Sequence, residues 1–404
     1  MAVVLIHVTA GLMAGPPGVG HAFWGSALLN QAARFSLGAF VLITGVALFH
    51  AYGDRPGFST WAYYGRRLRG VVLPYLAWSV LYALWTARAE SQWAHLPTRL
   101  LLDLLSGNAM YHLYFVVLLV QFYLLFPLLR ALPRRRWFGG AVVAAVLVQI
   151  ALDAVSFYHT GPFPRGPLAV VFRYSDRLLP WWMGYFAIGA WVAPRVETLR
   201  AAVPRGFTVW VLVGASVLTL AWMMAEFALY IRNPQHSVGW AASEFRPSAV
   251  LYSLLVCAVI LSAAARGLPG MRLWLELGRC SFGVYLAHPL LLAAAASLAL
   301  RLHPSPLPYF CAVFPATLVG AYLITRGLEH LPGLGWTVGL GGRPPAAGPR
   351  TEGGRPRGAK HRPCGRGPHS AHPAPDWPAQ LRQHGAHPGP GGRAPAPGAD
   401  RPGL

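Results

Sequence analysis

The residues most able to do chemistry in this sequence are isolated polar side chains set in long apolar segments. His7 is the one imidazole in an apolar stretch that runs from Ala2 to Val8. An ionisable group in such a stretch usually faces a cavity or a partner, where an imidazole can accept or donate a proton. The alternative is a histidine packed between helices and satisfied by a hydroxyl or a carbonyl, and this segment alone leaves both interpretations open.

Three arginines, Arg66, Arg67 and Arg69, lie where a later apolar segment begins. Arg66 and Arg69 are three residues apart, so on a helix they share a face. Two forked guanidinium groups placed in this way suit the binding of phosphate. The plainer interpretation is that these charges anchor the segment on one side of a membrane, which requires no chemistry.

Four further residues could contribute. His112 lies beside the end of an apolar segment, where a lone histidine is more often structural. Tyr285 and His288 are three residues apart and share a helical face, although the proline after His288 could simply loosen the backbone there. Asp153 is another buried ionisable candidate without a companion motif. No two of the four cysteines have metal-ligand spacing, so no metal is expected.

The composition predicts the elements that must position these residues. Hydrophobic residues make up 55% of the chain and charged residues 12%, against about 25% charged in soluble domains. An all-α integral membrane protein fits these values, and a soluble enzyme does not. The net charge of +21 would suit nucleic acid, but most charges lie in short loops between apolar segments. We therefore expect membrane lipid as a partner and no nucleic acid.

Ten apolar segments approach the ~20 residues that cross ~30 Å of hydrocarbon. They are Met1–Ala14, Phe35–Tyr52, Val71–Ala87, Tyr111–Leu129, Trp137–Tyr158, Leu179–Ala193, Phe207–Phe227, Ser248–Ala265, Ser281–Leu300 and Tyr309–Thr325. With the start of the chain in the cytoplasm, fifteen of the 24 arginines before residue 341 fall on the cytoplasmic side. The positive-inside rule thus predicts that both termini are cytoplasmic.

The composition changes at about Gly341. Residues 341–404 contain no Val, Ile, Phe or Tyr, which predicts a disordered tail after a transmembrane domain of residues 1–340. One alternative is a basic tail that touches anionic lipid. Another is an out-of-frame end, because the chain has 33 arginines and a single lysine, Lys360, as GC-rich coding would give. No function is assigned to this tail.

Five strings, in order, resemble segments of the membrane-bound acyltransferase 3 family of bacteria. They are VVLIHV around His7, FVLITG at Phe40–Gly45, GRRLRGVVLPY with the three arginines, HLYFVVLLVQFYLLFP from His112, and SFGVYLAHP with His288. The resemblance runs from Met1 to about Glu329. The family usually carries an arginine well upstream of the first-helix histidine, whereas only six residues precede His7. We therefore expect that the first helix is truncated or that its start is assigned too late.

The resemblance implies an O-acyltransferase of the bacterial cytoplasmic membrane. Its co-substrate would be acyl-CoA, commonly acetyl-CoA, with phosphates on Arg66, Arg69 and Arg67. His7 would act as general base or relay the acyl group. The acceptor would be a hydroxyl of a surface glycan or lipid-linked sugar, and the candidate acceptor-binding residues are His112, Tyr285 and His288.

The alternative function is a transporter or flippase for a glycan or polyol, which ten spans and a few buried ionisable groups also fit. No clear internal repeat supports it. A cavity that contains His7 and opens to the cytoplasm would favour the transferase, and a continuous cavity at the midplane would favour transport.

Overall fold

The computed structural model describes residues 1–14, 18–90, 93, 96–158, 167–202, 206–233, 236–265, 270–302 and 304–340. Every regular element within these residues is a helix, which confirms the all-α prediction. The predicted disordered tail, residues 341–404, lies outside the described residues.

Sixteen α-helices follow one another along the described part of the chain. They are α1 (Ala2–Leu12), α2 (Gly20–Ala33), α3 (Phe35–Tyr52), α4 (Thr60–Arg67), α5 (Leu73–Glu90), α6 (Leu96–Ser106), α7 (Tyr114–Leu129), α8 (Phe138–Tyr158), α9 (Pro167–Arg173), α10 (Met183–Val192), α11 (Val196–Ala201), α12 (Phe207–Tyr230), α13 (Val238–Ala241), α14 (Pro247–Ala265), α15 (Met271–Leu300) and α16 (Pro306–His330). Short 3₁₀ turns lie at Leu132–Arg134, Ser175–Arg177, Leu179–Trp181, Ala193–Arg195 and Gly335–Val338.

Seven helical segments of the described residues are long and apolar enough to cross a membrane. They are Gly20–Tyr52, Thr60–Ala89, Phe138–Tyr158, Phe207–Tyr230, Pro247–Ala265, Arg272–Leu300 and Pro306–His330. Two further apolar helices, α1 and α7, are shorter. The chain is therefore a multi-pass membrane protein, as predicted, but the count of ten spans is not confirmed.

The sixth predicted span, Leu179–Ala193, is a short helix with a 3₁₀ turn at each end. Its central helix, α10, has ten residues and is therefore about 15 Å long, half of the ~30 Å of hydrocarbon. Pro180 and Pro194 lie in the flanking turns. Proline interrupts the backbone hydrogen bonds of a helix, so these two residues limit the length of α10. α10 instead packs inside the bundle against α3 and α8.

The polar stretch that leads to Arg34 is also a helix, α2, which the apolar pattern did not predict. α2 continues almost without a break into α3 and packs against α1. Its side chains Asn30 and Gln31 are fully buried. The apolar pattern missed α2 because these polar residues face protein partners, whereas a simple hydrophobicity criterion assumes that a span faces lipid.

The basic segment begins as α4 and ends in a π-helical turn, Leu68–Val72. Backbone hydrogen bonds in such a turn span five residues instead of four. Pro74 follows two residues after the end of this turn, and its ring would clash with the carbonyl of Gly70, four residues earlier, in a regular α-helix. The wider turn changes the angle between Arg66 and Arg69, which the sequence pattern had placed on one regular helix face.

Helices α3 and α10 meet backbone to backbone at two glycines. A Cβ atom on Gly189 would lie 2.1 Å from the carbonyl oxygen of Leu42, and one on Gly45 would lie 2.6 Å from the carbonyl oxygen of Phe186. Both distances are far below van der Waals contact, so only glycine fits without moving the helices. Gly45 ends the string FVLITG, and this contact gives a physical reason for the glycine.

Gly189→Ala is expected to lower the free energy of unfolding by about 2 kcal/mol, because the added methyl group forces two backbones apart. The matched control is Gly214→Ala in α12, where a Cβ atom would meet nothing within 4 Å. Thermal unfolding of the purified protein in detergent, followed by tryptophan fluorescence, compares the two variants. Equal melting temperatures would contradict a close contact at Gly189.

Candidate active site

Helix α1 carries His7 into the interior of the bundle, where the side chain is 8% exposed. Val4 and Val8 pack into an apolar cluster with side chains of α15 and α16. On the other side, the Nδ2 group of Asn30 donates to the carbonyl oxygen of Ile6 at 2.9 Å. Because Ile6 is next to His7 in the chain, this hydrogen bond helps to fix the depth of His7 and the orientation of α1 in the bundle.

The turn at residues 107–113, between α6 and α7, is tied to α15. The hydroxyl of Tyr285 donates to the carbonyl oxygen of His112 at 2.5 Å. The ring centre of His112 lies 4.8 Å from that of Tyr285 and 5.0 Å from that of His288. The hydroxyl hydrogen of Tyr285 is therefore engaged in holding the turn in place.

His7, Tyr111, His112 and His288 form one group of buried rings, the histidine cluster. The ring centre of His7 lies 4.5 Å from that of Tyr111 and 5.3 Å from that of His288. The Nε2 atoms of His7 and His288 and the hydroxyl of Tyr111 have no hydrogen-bond partner among the described residues. Unpartnered polar atoms are costly in an apolar interior, and the presence of three together makes this cluster the candidate site.

The structure thus brings three of the sequence-predicted residues, His7, His112 and His288, into one cluster. Tyr285 contacts it from one turn earlier on α15. Sequence analysis missed Tyr111. The signal available was its position directly before His112, in the turn that leads into an apolar helix.

Arg66, Arg67 and Arg69 lie elsewhere, at the end of the bundle that also holds Arg130 and Arg134 and is called the arginine end. Arg66 and Arg69 are exposed, and neither pairs with an acidic side chain among the described residues. Arg67 is buried, with its guanidinium carbon 5.0 to 5.5 Å from three tyrosine ring centres. Those rings are Tyr52, Tyr63 and Tyr123. Such stacking stabilises a cation that is partly withdrawn from water.

The arginine end and the histidine cluster are well separated. The guanidinium of Arg66 lies over the ring of Tyr52, the last residue of α3. His7 lies level with Asn30, before α3 begins. Since α3 has 18 residues, its two ends are about 27 Å apart. A single ligand that contacts both places must therefore be long.

A cleft of about 280 Å³ opens at the arginine end, beside the last turn of α3. Phe49 and prolines line its apolar part, and His50, Asp54, Arg130 and Arg134 line its polar part. A second cavity, deeper in the bundle, has a volume of about 10 Å³. Neither of these two cavities is lined by a residue of the histidine cluster.

A buried polar network that the sequence patterns did not single out lies beside the cluster. Arg34 forms an ion pair with Glu244 at 2.7 Å, and its Nε atom donates to Asn30 at 3.2 Å. Arg246 is fully buried and donates to the side chain of Gln31. Burial lowers the pKa of Arg246 to about 10, so its guanidinium stays charged near neutral pH. The signal available in the sequence was the rarity of charged residues in this chain.

Asp153, the isolated ionisable residue of the fifth predicted span, lies next to this network. Its side chain is 1% exposed and lines the cavity of about 10 Å³ together with Arg34 and Glu244. That volume holds about one water molecule. Asp153 therefore has polar neighbours in the folded protein, but the cavity beside it is too small for a substrate.

A bundle of apolar helices around a buried imidazole cluster defines a multi-pass membrane protein with a polar centre inside it. Residues 1–326 match the family model of the acyltransferase 3 group, described as an acyltransferase domain. The chain belongs to the acyltransferase 3 family and is a membrane acyltransferase. No curated protein and no solved structure matches it.

Glu244→Gln is expected to lower the free energy of unfolding by about 3 kcal/mol, because it leaves the buried guanidinium of Arg34 without a counter-charge. Asp54→Asn is the control: its ion pair with Arg134 is exposed and should contribute less than about 1 kcal/mol. Chemical unfolding in mixed micelles measures both differences. If the two variants lose the same small amount, the Arg34 pair does not stabilise the bundle.

Proposed function

We propose that this acyltransferase moves an acyl group, acetyl in the first instance, from acyl-CoA to a hydroxyl of a surface glycan, a lipid-linked sugar or a similar acceptor. The observation that carries the proposal is the histidine cluster, in which several buried imidazoles stand beside unpartnered polar atoms. Hydroxyl groups are ligands that such atoms can bind. The proposed location is the bacterial cytoplasmic membrane, with the arginine end and both termini in the cytoplasm.

His7 is the proposed general base. A neutral imidazole takes the proton of the acceptor hydroxyl as the oxygen attacks the thioester carbon. The new carbon–oxygen bond forms, the carbon–sulfur bond breaks, and CoA leaves as a thiolate. The imidazolium then returns the proton to that sulfur, so His7 is neutral again and the reaction releases no proton. A direct acyl relay through His7 would divide the same reaction into two displacements.

The arginine end supports the donor half of the proposal. Arg66 and Arg69 are exposed and free of acidic partners among the described residues, so their guanidinium groups are open to phosphate. Arg67 lies behind them among tyrosine rings and adds positive charge. The distance from this end to the histidine cluster suits a donor whose charged nucleotide and reacting thioester are joined by a long flexible arm.

Three residues remain as proposed contacts of the acceptor: His112, Tyr285 and His288. His288 offers an unpartnered ring nitrogen. The Tyr285 hydroxyl donates to His112, which leaves its oxygen available only as a hydrogen-bond acceptor.

Arg66→Ala and Arg69→Ala should each weaken the binding of CoA by about tenfold or more, since each removes a charged, forked contact with phosphate. Arg200→Ala, which removes another exposed arginine, on α11, is the control and should leave the affinity unchanged. Isothermal titration of CoA into the purified protein gives the dissociation constants. Unchanged affinity in both test variants would make these arginines topological anchors only.

His7→Gln and His7→Ala should both lower the rate of acetyl transfer by about 10²–10⁴-fold, because neither side chain accepts a proton at neutral pH. Gln keeps polarity and approximate size, so it separates chemistry from packing. His330→Gln, at the exposed end of α16, is the control. Transfer from radiolabelled acetyl-CoA to isolated cell-envelope glycan is the measurement, with CoA affinity as the test of folding. A fully active His7→Gln protein would assign His7 a structural role.

A further inference from the structure

Pro289 lies within α15, directly after His288. In a regular α-helix the backbone N–H of residue 289 would donate to the carbonyl oxygen of Tyr285, four residues earlier. Proline has no N–H, so this carbonyl loses its helical donor. The Nδ1 atom of His288 lies 2.7 Å from the same oxygen. The side chain thus takes the place of the missing backbone group.

This contact determines which nitrogen of His288 carries the hydrogen. A carbonyl oxygen can only accept a hydrogen bond, so Nδ1 must be the donor. In a neutral imidazole the other nitrogen, Nε2, is then a bare acceptor. Nε2 of His288 is buried and has no partner among the described residues. Pro289 frees the carbonyl of Tyr285, which then binds Nδ1–H of His288. Nε2 of His288 therefore keeps its lone pair within the histidine cluster.

The same relation occurs in α7, which supports the physical account. Pro127 lies within that helix, and the carbonyl oxygen four residues earlier belongs to Tyr123. The hydroxyl of Tyr63 donates to that oxygen at 3.2 Å. In both helices a side-chain donor therefore occupies the carbonyl that a proline has freed.

We propose that Pro289 is a positioning residue, which holds His288 as a hydrogen-bond acceptor for a second hydroxyl of the acceptor molecule. The ring centres of His7 and His288 are 5.3 Å apart and their planes are inclined by 26°. Nε2 of each ring lacks a partner among the described residues, so each ring has a nitrogen for one of two neighbouring hydroxyls. The favoured acceptor is thus a diol with adjacent hydroxyls, and the hydroxyl on His288 keeps its proton. The identification of the ligand as a diol rests on the proposed function, whereas the tautomer of His288 does not.

The test is nitrogen-15 NMR of histidine-labelled protein in lipid bilayers, with His288→Asn used to assign the signal. His288 should show a protonated Nδ1 and a bare Nε2. Pro289→Ala restores the backbone donor to Tyr285, so it should convert the ring wholly or partly to the other tautomer without lowering the melting temperature. Pro315→Ala in α16 is the matched control, because no described histidine donates to the carbonyl four residues earlier.

Glycerol, a small probe with hydroxyls on adjacent carbons, should move the Nε2 signal of His288 in the unaltered protein, whereas propan-2-ol at the same concentration should move it much less. In Pro289→Ala the glycerol shift should be lost. A His288 ring protonated at Nε2, or one that Pro289→Ala leaves unchanged, would overturn the positioning role. An equal shift of the Nε2 signal with both alcohols would contradict the preference for a diol. Neither readout needs acyl transfer, so failure of the proposed function remains distinguishable.

Discussion

The hydrogen bonds of Arg34 and Asn30 hold together the parts of the bundle on which the candidate site depends. Asn30 binds the backbone of α1 beside His7, and Arg34 binds both Asn30 and Glu244. Each group would be costly to bury alone in an apolar interior. Their mutual satisfaction therefore joins α1, α2 and the segment before α14 in one arrangement. The position of His7 follows from that arrangement together with the apolar contacts of its own short helix.

Around this framework the fold uses prolines to redirect backbone carbonyls. Pro289 and Pro127 each lie within an apolar helix, where an unpaired carbonyl would be expensive. In each case a side chain supplies the missing donor, from His288 or from Tyr63. The same local defect thus helps to orient an imidazole in the histidine cluster and to fasten α4 to α7.

Much of the architecture could be predicted from the sequence, because a lipid-facing helix must be apolar for most of its length. The clustering of His7, His112 and His288 could not be predicted from spacing alone. These residues come from three distant segments, and only the resemblance to a family suggested a common site. The apolar criterion failed at α2, whose polar residues are buried, and at Leu179–Ala193, where two prolines shorten the helix. Arg34 and Glu244 were missed because a charge pair of such separation in sequence has no local pattern.

The glycine contact between α3 and α10 also has a mechanical consequence. Two helices that touch through Leu42 and Gly189 cannot slide past each other, because the motion would drive one carbonyl into the opposite backbone. We therefore expect α3 and α10 to move together. An opening of the bundle is expected instead where elements meet through side chains, as α1 and the turn at residues 107–113 do. The hinge of the catalytic cycle would then lie beside the histidine cluster itself.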